Sequence, residues 1–151
     1  MARLVSTLLP VHRRIVGVTH LTVRISNPAD RRRGFTQKLI VDSGAVYTIV
    51  PQRLLHQIGI EPDRVMTFDL ADGRRIKREV GSAYYEIGDA CAAAPVIFGK
   101  RTDAPLLGVV TLEALGFTLD PLKHALRPMR LVLLPFQHRG RPPLAIGPRT
   151  R

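Results

Sequence analysis

Asp42, Ser43 and Gly44 are the residues of this sequence best equipped by type and spacing to do chemistry. They follow the apolar run Leu39-Ile40-Val41 and precede Ala45. The run reads as a buried strand, and a carboxylate at its end is costly to bury unless hydrogen bonds satisfy it. Ser43 offers a hydroxyl, and Gly44 lets another backbone or a substrate come close. A carboxylate held in this way can transfer protons. An Asp-Ser-Gly turn that merely ends a strand has the same spelling, so the tripeptide alone decides nothing. Other reactive types are sparse. The single cysteine, Cys91, sits in Asp89-Ala90-Cys91-Ala92-Ala93-Ala94 and reads as a small strand residue rather than a nucleophile. His12, His20, His56, His124 and His138 are scattered without ligand spacing, so no metal and no other cofactor is expected.

The elements that must position Asp42 are short and mostly β. A chain of 151 residues fits one domain with a real core, and 45% hydrophobic residues exclude wholesale disorder. Val18–Ile25 alternates as a strand, and Asn27 to Gly34, with its arginine triplet, reads as an exposed loop. Phe35–Val41 delivers Asp42, and Val46–Val50 is β-branched and aromatic, hence a further strand. Pro51 opens a short helix that Gly59 stops. Val65–Leu70 and Arg74–Val80 flank Ala71-Asp72-Gly73, a strong hairpin signal. Two separate strands, Ala83–Ile87 and Cys91–Phe98, precede a loop over Gly99–Pro105. Leu106-Leu107-Gly108 then leads to a helix expected to be capped by Thr111 and ended by Gly116. A hairpin of Phe117–Leu119 with Leu122–Leu126 and a last strand over Met129–Leu134 complete the expected core.

Charge divides the chain unevenly. Of the net +11, residues 1–33 hold seven arginines against one acid, and residues 121–151 hold six arginines and one lysine with no acid. The central residues 34–120 hold nine bases and eleven acids. Basic ends can meet nucleic acid or simply keep a protein soluble. Phe136 is the one aromatic in either basic end, which favours the second reading. The expected organisation is an extension over 1–15, a domain over 16–134, and a basic tail over 135–151 that lacks fixed structure. No apolar run is long enough to span a membrane, and no small-residue cleavage site follows the apolar start, so the expected location is the cytoplasm.

The order of these parts resembles the retropepsin-type aspartic proteases, the single-domain family typified by retroviral proteases. Ile40-Val41-Asp42-Ser43-Gly44-Ala45 matches its apolar-apolar-Asp-[Ser/Thr]-Gly-Ala loop. Leu106-Leu107-Gly108 before a terminal helix matches its second element, and the Asp-Gly hairpin lies between. The resemblance runs from about Val18 to Arg127. It implies a mainly β fold, a closed barrel with one or two short helices, and a homodimer. It also implies an aspartic-type endopeptidase in which two Asp42 carboxylates share a proton across a twofold axis. One Asp-Ser-Gly supplies one carboxylate, and no second copy is present: Asp72-Gly73 and Asp103-Ala104-Pro105 lack the hydroxyl residue.

By the same resemblance, Asp42, Ser43 and Gly44 form the catalytic loop, supported from beneath by Leu107 and Gly108. Ala71, Asp72 and Gly73 form a flap over an extended polypeptide substrate. Ile40, Ala45, Tyr47, Ile49, Ala104 and Leu106 line apolar subsites. One departure concerns the dimer: viral members carry an acid and an arginine where this chain has Val46 and Val109. An apolar contact can replace that ion pair without stranding a charge. Two other readings compete. A non-catalytic module of the same fold would bind peptides without Asp42, and a basic nucleic-acid-binding protein would use the terminal arginines.

Overall fold

The computed structural model describes residues 19–120 and 122–135. The expected extension over 1–15 and the tail beyond residue 135 lie outside them. The fold is mainly β, with two short helices. Its strands are β1 (Thr19–Asn27), β2 (Asp30–Val41), β3 (Thr48–Pro51), β4 (Arg64–Asp69), β5 (Arg75–Ile87), β6 (Ala90–Gly99), β7 (Leu106–Leu107), β8 (Phe117–Asp120) and β9 (Ala125–Pro128). Helix α1 is Gln52–Gln57 and α2 is Val109–Ala114.

Seven strands form one sheet in the order β1-β2-β7-β3-β6-β5-β4, and β1 also pairs with β5 over Arg24–Ser26. The sheet therefore turns back on itself. Alternation puts Leu21, Val23 and Ile25 of β1, Leu39 and Val41 of β2, and Ala83, Tyr85 and Ile87 of β5 into one core. Leu55 of α1 and Leu112 of α2 complete it from the helices. β8 and β9 form a separate two-stranded ribbon.

Four local expectations need correction. The arginine triplet Arg31–Arg33 belongs to β2, where the register with β1 breaks between Ser26 and Asn27. Its side chains are exposed yet anchored: the Arg31 guanidinium lies 4.8 Å from the Tyr84 ring centre, and Arg32 pairs with Asp30. The two strands expected around Gly81-Ser82 are one, β5, because the pairing with β6 continues through both residues. Gly81 is needed for space: a Cβ there would meet the Glu61 carbonyl oxygen at 2.9 Å. Thr111 does not cap α2; Gly108 holds that position, and Thr111 is buried in the third helical place. Finally, Met129–Leu134 forms no strand, and Leu131 to Leu134 are exposed.

Candidate active site

The short strand β7 joins the two sequence motifs. It runs parallel to β2, pairing Ile40 with Leu106 and Val41 with Leu107, and meets β3 where Leu106 faces Ile49. The Asp42 amide, just beyond β2, donates to the Leu107 carbonyl at 3.2 Å. Asp42 then opens a tight turn: its carbonyl accepts from the Ala45 amide at 3.2 Å, and its Oδ1 accepts from the Gly44 amide at 2.8 Å. A Cβ on Gly44 would crowd that carboxylate oxygen at 3.2 Å. Asp42, Ser43 and Gly44 are exposed, and Ser43 makes no side-chain hydrogen bond among the described residues.

Helix α2 holds the loop from below. The first amides of a helix lack partners within it. Here the Val109 amide donates to the Ala45 carbonyl at 2.8 Å and the Val110 amide to the Val46 carbonyl at 3.1 Å. The Gly108 amide donates to Thr48 Oγ1 at 3.1 Å, and Thr48 Oγ1 shares a 2.7 Å hydrogen bond with Thr111 Oγ1. Both threonines are fully buried. Tyr85 is buried beside them and donates to the Pro95 carbonyl at 3.3 Å. Burial pushes its phenol well above the usual range, and the two threonine hydroxyls oppose that only in part.

A cleft of about 550 Å³ opens over Asp42. Of the substrate-lining residues expected from sequence, Ala45, Tyr47, Ile49, Ala71, Ala104 and Leu106 border it, together with Asp42 and Gly44. Ile40 does not, although its pairing with Leu106 puts the two on one face of the sheet. Ser43 stands at the turn outside the lining. Leu107 and Gly108 lie buried beneath the turn.

The β4–β5 hairpin supplies the opposite wall. Its tip closes with the Gly73 amide donating to the Leu70 carbonyl at 2.9 Å, and Gly73 takes a φ of +82° that favours glycine. Asp72 and Gly73 form the tip and do not line the cleft; Asp72 is occupied by Arg74, at 2.6 Å from Nε. The hydrogen bond from the Arg74 amide, then the one from its side chain, holds the Asp72 carboxyl below the usual range.

Sequence reasoning missed Phe68, Leu70, Ile76 and Arg78, which also line the cleft. The available signal was the period-two alternation continued through the hairpin, which puts all four on one face. Arg78 is a charge on that inward face. It forms a two-pronged pair with Asp103 of the 100–105 loop, Nε to Oδ2 at 2.7 Å and Nη2 to Oδ1 at 2.9 Å. The two side chains are only 12% and 14% exposed. Arg78 holds the Asp103 carboxyl below the usual range, with help from the Lys100 amide and against burial.

Three aspartates therefore border the cleft, and two are committed: Asp103 to Arg78, and Asp69 to Arg75 at 2.9 Å. Asp42 is the one without an ion pair among the described residues. Its site can transfer protons, and among the described residues no second uncommitted carboxylate borders this cleft. Among the described residues, no group of three or more His, Cys, Asp or Glu side chains is arranged to hold a metal ion. Nor is any helix among them long and apolar enough to cross a membrane.

No family model matches the chain, and no curated protein matches it. Solved structures do. The simian foamy virus protease is similar at 19% identity and a TM-score of 0.42, over 62% of this chain and 92% of that one. A retropepsin-like aspartic protease from Rickettsia conorii is similar at 20% identity and a TM-score of 0.45, over 69% of this chain and 77% of that one.

Proposed function

We propose that this chain is an aspartic-type endopeptidase that works as a homodimer on extended polypeptide. The observation that carries the reading is the placement of Asp42. It is the one cleft carboxylate without an ion pair, at the end of a strand locked to Leu107, facing a mostly apolar groove under a hairpin. One such carboxylate is half of the required machinery. Two Asp42 groups meeting across a twofold axis would share one proton, because like charges that close do not both ionise.

In that arrangement the ionised Asp42 takes a proton from a water molecule, whose oxygen attacks the peptide carbonyl carbon. The protonated Asp42 of the partner subunit gives its proton to the carbonyl oxygen. As the tetrahedral diol collapses and the carbon–nitrogen bond breaks, Asp42 gives the proton it took from water to the departing nitrogen, and the partner subunit's Asp42 takes a proton back from a diol hydroxyl, which restores the pair. Ser43, whose hydroxyl makes no hydrogen bond among the described residues, would bond across the junction and fix the pair. Val46, 58% exposed, stands beside the turn where an apolar subunit contact would form. The working unit is a closed barrel over residues 16–134, acting in the cytoplasm, with the 1–15 extension and the basic tail outside it.

The test is hydrolysis of a mixed peptide library from acid to neutral pH, with Asp42→Ala as control. Cleavage by the natural chain and none by the variant is expected. Equal cleavage by both, or by neither at any pH, removes the peptidase reading.

A further inference from the structure

A second concavity, of about 350 Å³, shares Asp103 with the cleft, so the 100–105 loop borders both. Its side chains come together because β3 and β6 run parallel and end in register, Pro51 opposite Gly99. Arg53, just past the end of β3, and Lys100 and Arg101, just past the end of β6, therefore emerge on the same rim. All three are exposed, and none forms an ion pair among the described residues. The one carboxylate in the lining, Asp103, feels the charge of Lys100 but forms no ion pair with any of the three. Both oxygens of Asp103 are bound to Arg78, and Oδ2 also accepts from the Lys100 amide at 2.8 Å.

We propose that Arg53, Lys100 and Arg101 form a subsite for acidic residues of the polypeptide held in the neighbouring cleft. This rests on the cleft being a peptide site. The substrates favoured are then segments with an apolar centre and an acidic flank. Asp103 is common to the linings of the two, so a chain leaving the cleft past it would bring its carboxylates to three cations that form no ion pair among the described residues. Nucleic acid fits less well, because the concavity has no aromatic side chain on which a base could stack.

The test uses the full-length chain carrying Asp42→Asn, so that binding is read without turnover. Labelled peptides share one apolar core and differ only in a flank of glutamates or of glutamines, placed at either end. Fluorescence anisotropy at low salt is expected to show the acidic flank binding about five- to tenfold tighter at either end, since a twofold dimer presents the concavity once on each side and several weak ion pairs add up. The preference shrinks as salt rises. Arg53→Gln, Lys100→Gln and Arg101→Gln together abolish it, and Arg101→Glu alone weakens it without depending on the fold of the triple variant. Equal binding of both flanks, or a preference that survives all three changes, overturns the proposal. So does single-stranded oligonucleotide that binds more tightly than the acidic peptide through the same three residues. Hydrolysis by the natural chain separates the two readings. Peptides bound with the flank preference but never cut sink the peptidase and leave the subsite. Peptides cut without regard to flank do the reverse.

Discussion

Gly108 lies so close beneath Tyr47 that a Cβ on it would stand 2.5 Å from the Tyr47 carbonyl carbon. The Val46 and Tyr47 carbonyl oxygens are almost as near, at 2.6 and 2.7 Å. These neighbours are backbone, and the Val110 amide holds the Val46 carbonyl, so they cannot swing aside. Gly108→Ala must therefore push the 45–47 segment off α2.

We expect Gly108→Ala to cost about 3 kcal/mol or more, the upper range for overpacking, and to abolish any Asp42-dependent activity. Gly73→Ala is the matched control. Its φ of +82° makes alanine uncomfortable, but nothing lies within 4 Å of the added carbon. That variant should lose only about 1 kcal/mol. Denaturant melts of the two, side by side, decide the point. Equal losses would mean that backbone conformation, not the close approach, governs position 108.

Thr48 makes the same junction by hydrogen bonding. Thr48→Val keeps the shape but strands the Gly108 amide and the Thr111 hydroxyl in a buried place. A loss of about 2 kcal/mol is expected, since an unpaired buried donor costs more than a bond contributes. Thr48→Ser should recover most of it. A valine variant as stable as the natural protein would show that the hydroxyl network is dispensable.

These joints explain what could be read from the residues alone. Strands β1 and β4 were legible because their apolar residues alternate, and β6 because a continuous apolar run is bounded by Gly88 and Gly99. The pairing of Asp42 with Leu107 was legible as two motifs in the right order, though no local rule makes them neighbours. Gly81 misled because glycine in a strand signals either a break or a close approach, and only the position of Glu61 shows which. Thr111 misled similarly. It has the chemistry of a cap, but Gly108 must sit against Tyr47, and the helix starts there. The Arg78–Asp103 pair was invisible, because each residue alone looks like a solvated charge.

That pair carries a pH dependence of defined sign. Asp103 has its folded pKa lowered by Arg78, so its contribution is complete above the unfolded carboxylate value and lost as pH falls through the folded one. Asp103→Asn should be less stable than the natural protein by about 2 kcal/mol from neutral pH down to about pH 5. The gap should close in acid, as pH falls through the folded value that Arg78 has lowered and the natural carboxyl is neutralised too. Urea melts across that range measure it. A gap that widens in acid would reverse the sign and show that burial, not Arg78, governs Asp103.

The last prediction joins the chemistry to assembly. On the proposed reading an active site built from Asp42 needs two chains, since among the described residues one uncommitted carboxylate borders each cleft. Asp42→Asn is close to isosteric, keeps a carbonyl oxygen for the Gly44 amide, and should fold and pair as the natural chain does. Mixed with natural chain and allowed to exchange, it forms heterodimers with a single ionisable carboxylate, which cannot share a proton with a twin. With random pairing at equal amounts, only about a quarter of the dimers keep both carboxylates. Activity at constant total protein should therefore follow the square of the natural fraction, while sedimentation shows an unchanged distribution of species. A straight-line fall after proven exchange would mean that each chain works alone. Activity in a species that sediments as a monomer would mean the same, and the second proton carrier would then have to be sought within one chain.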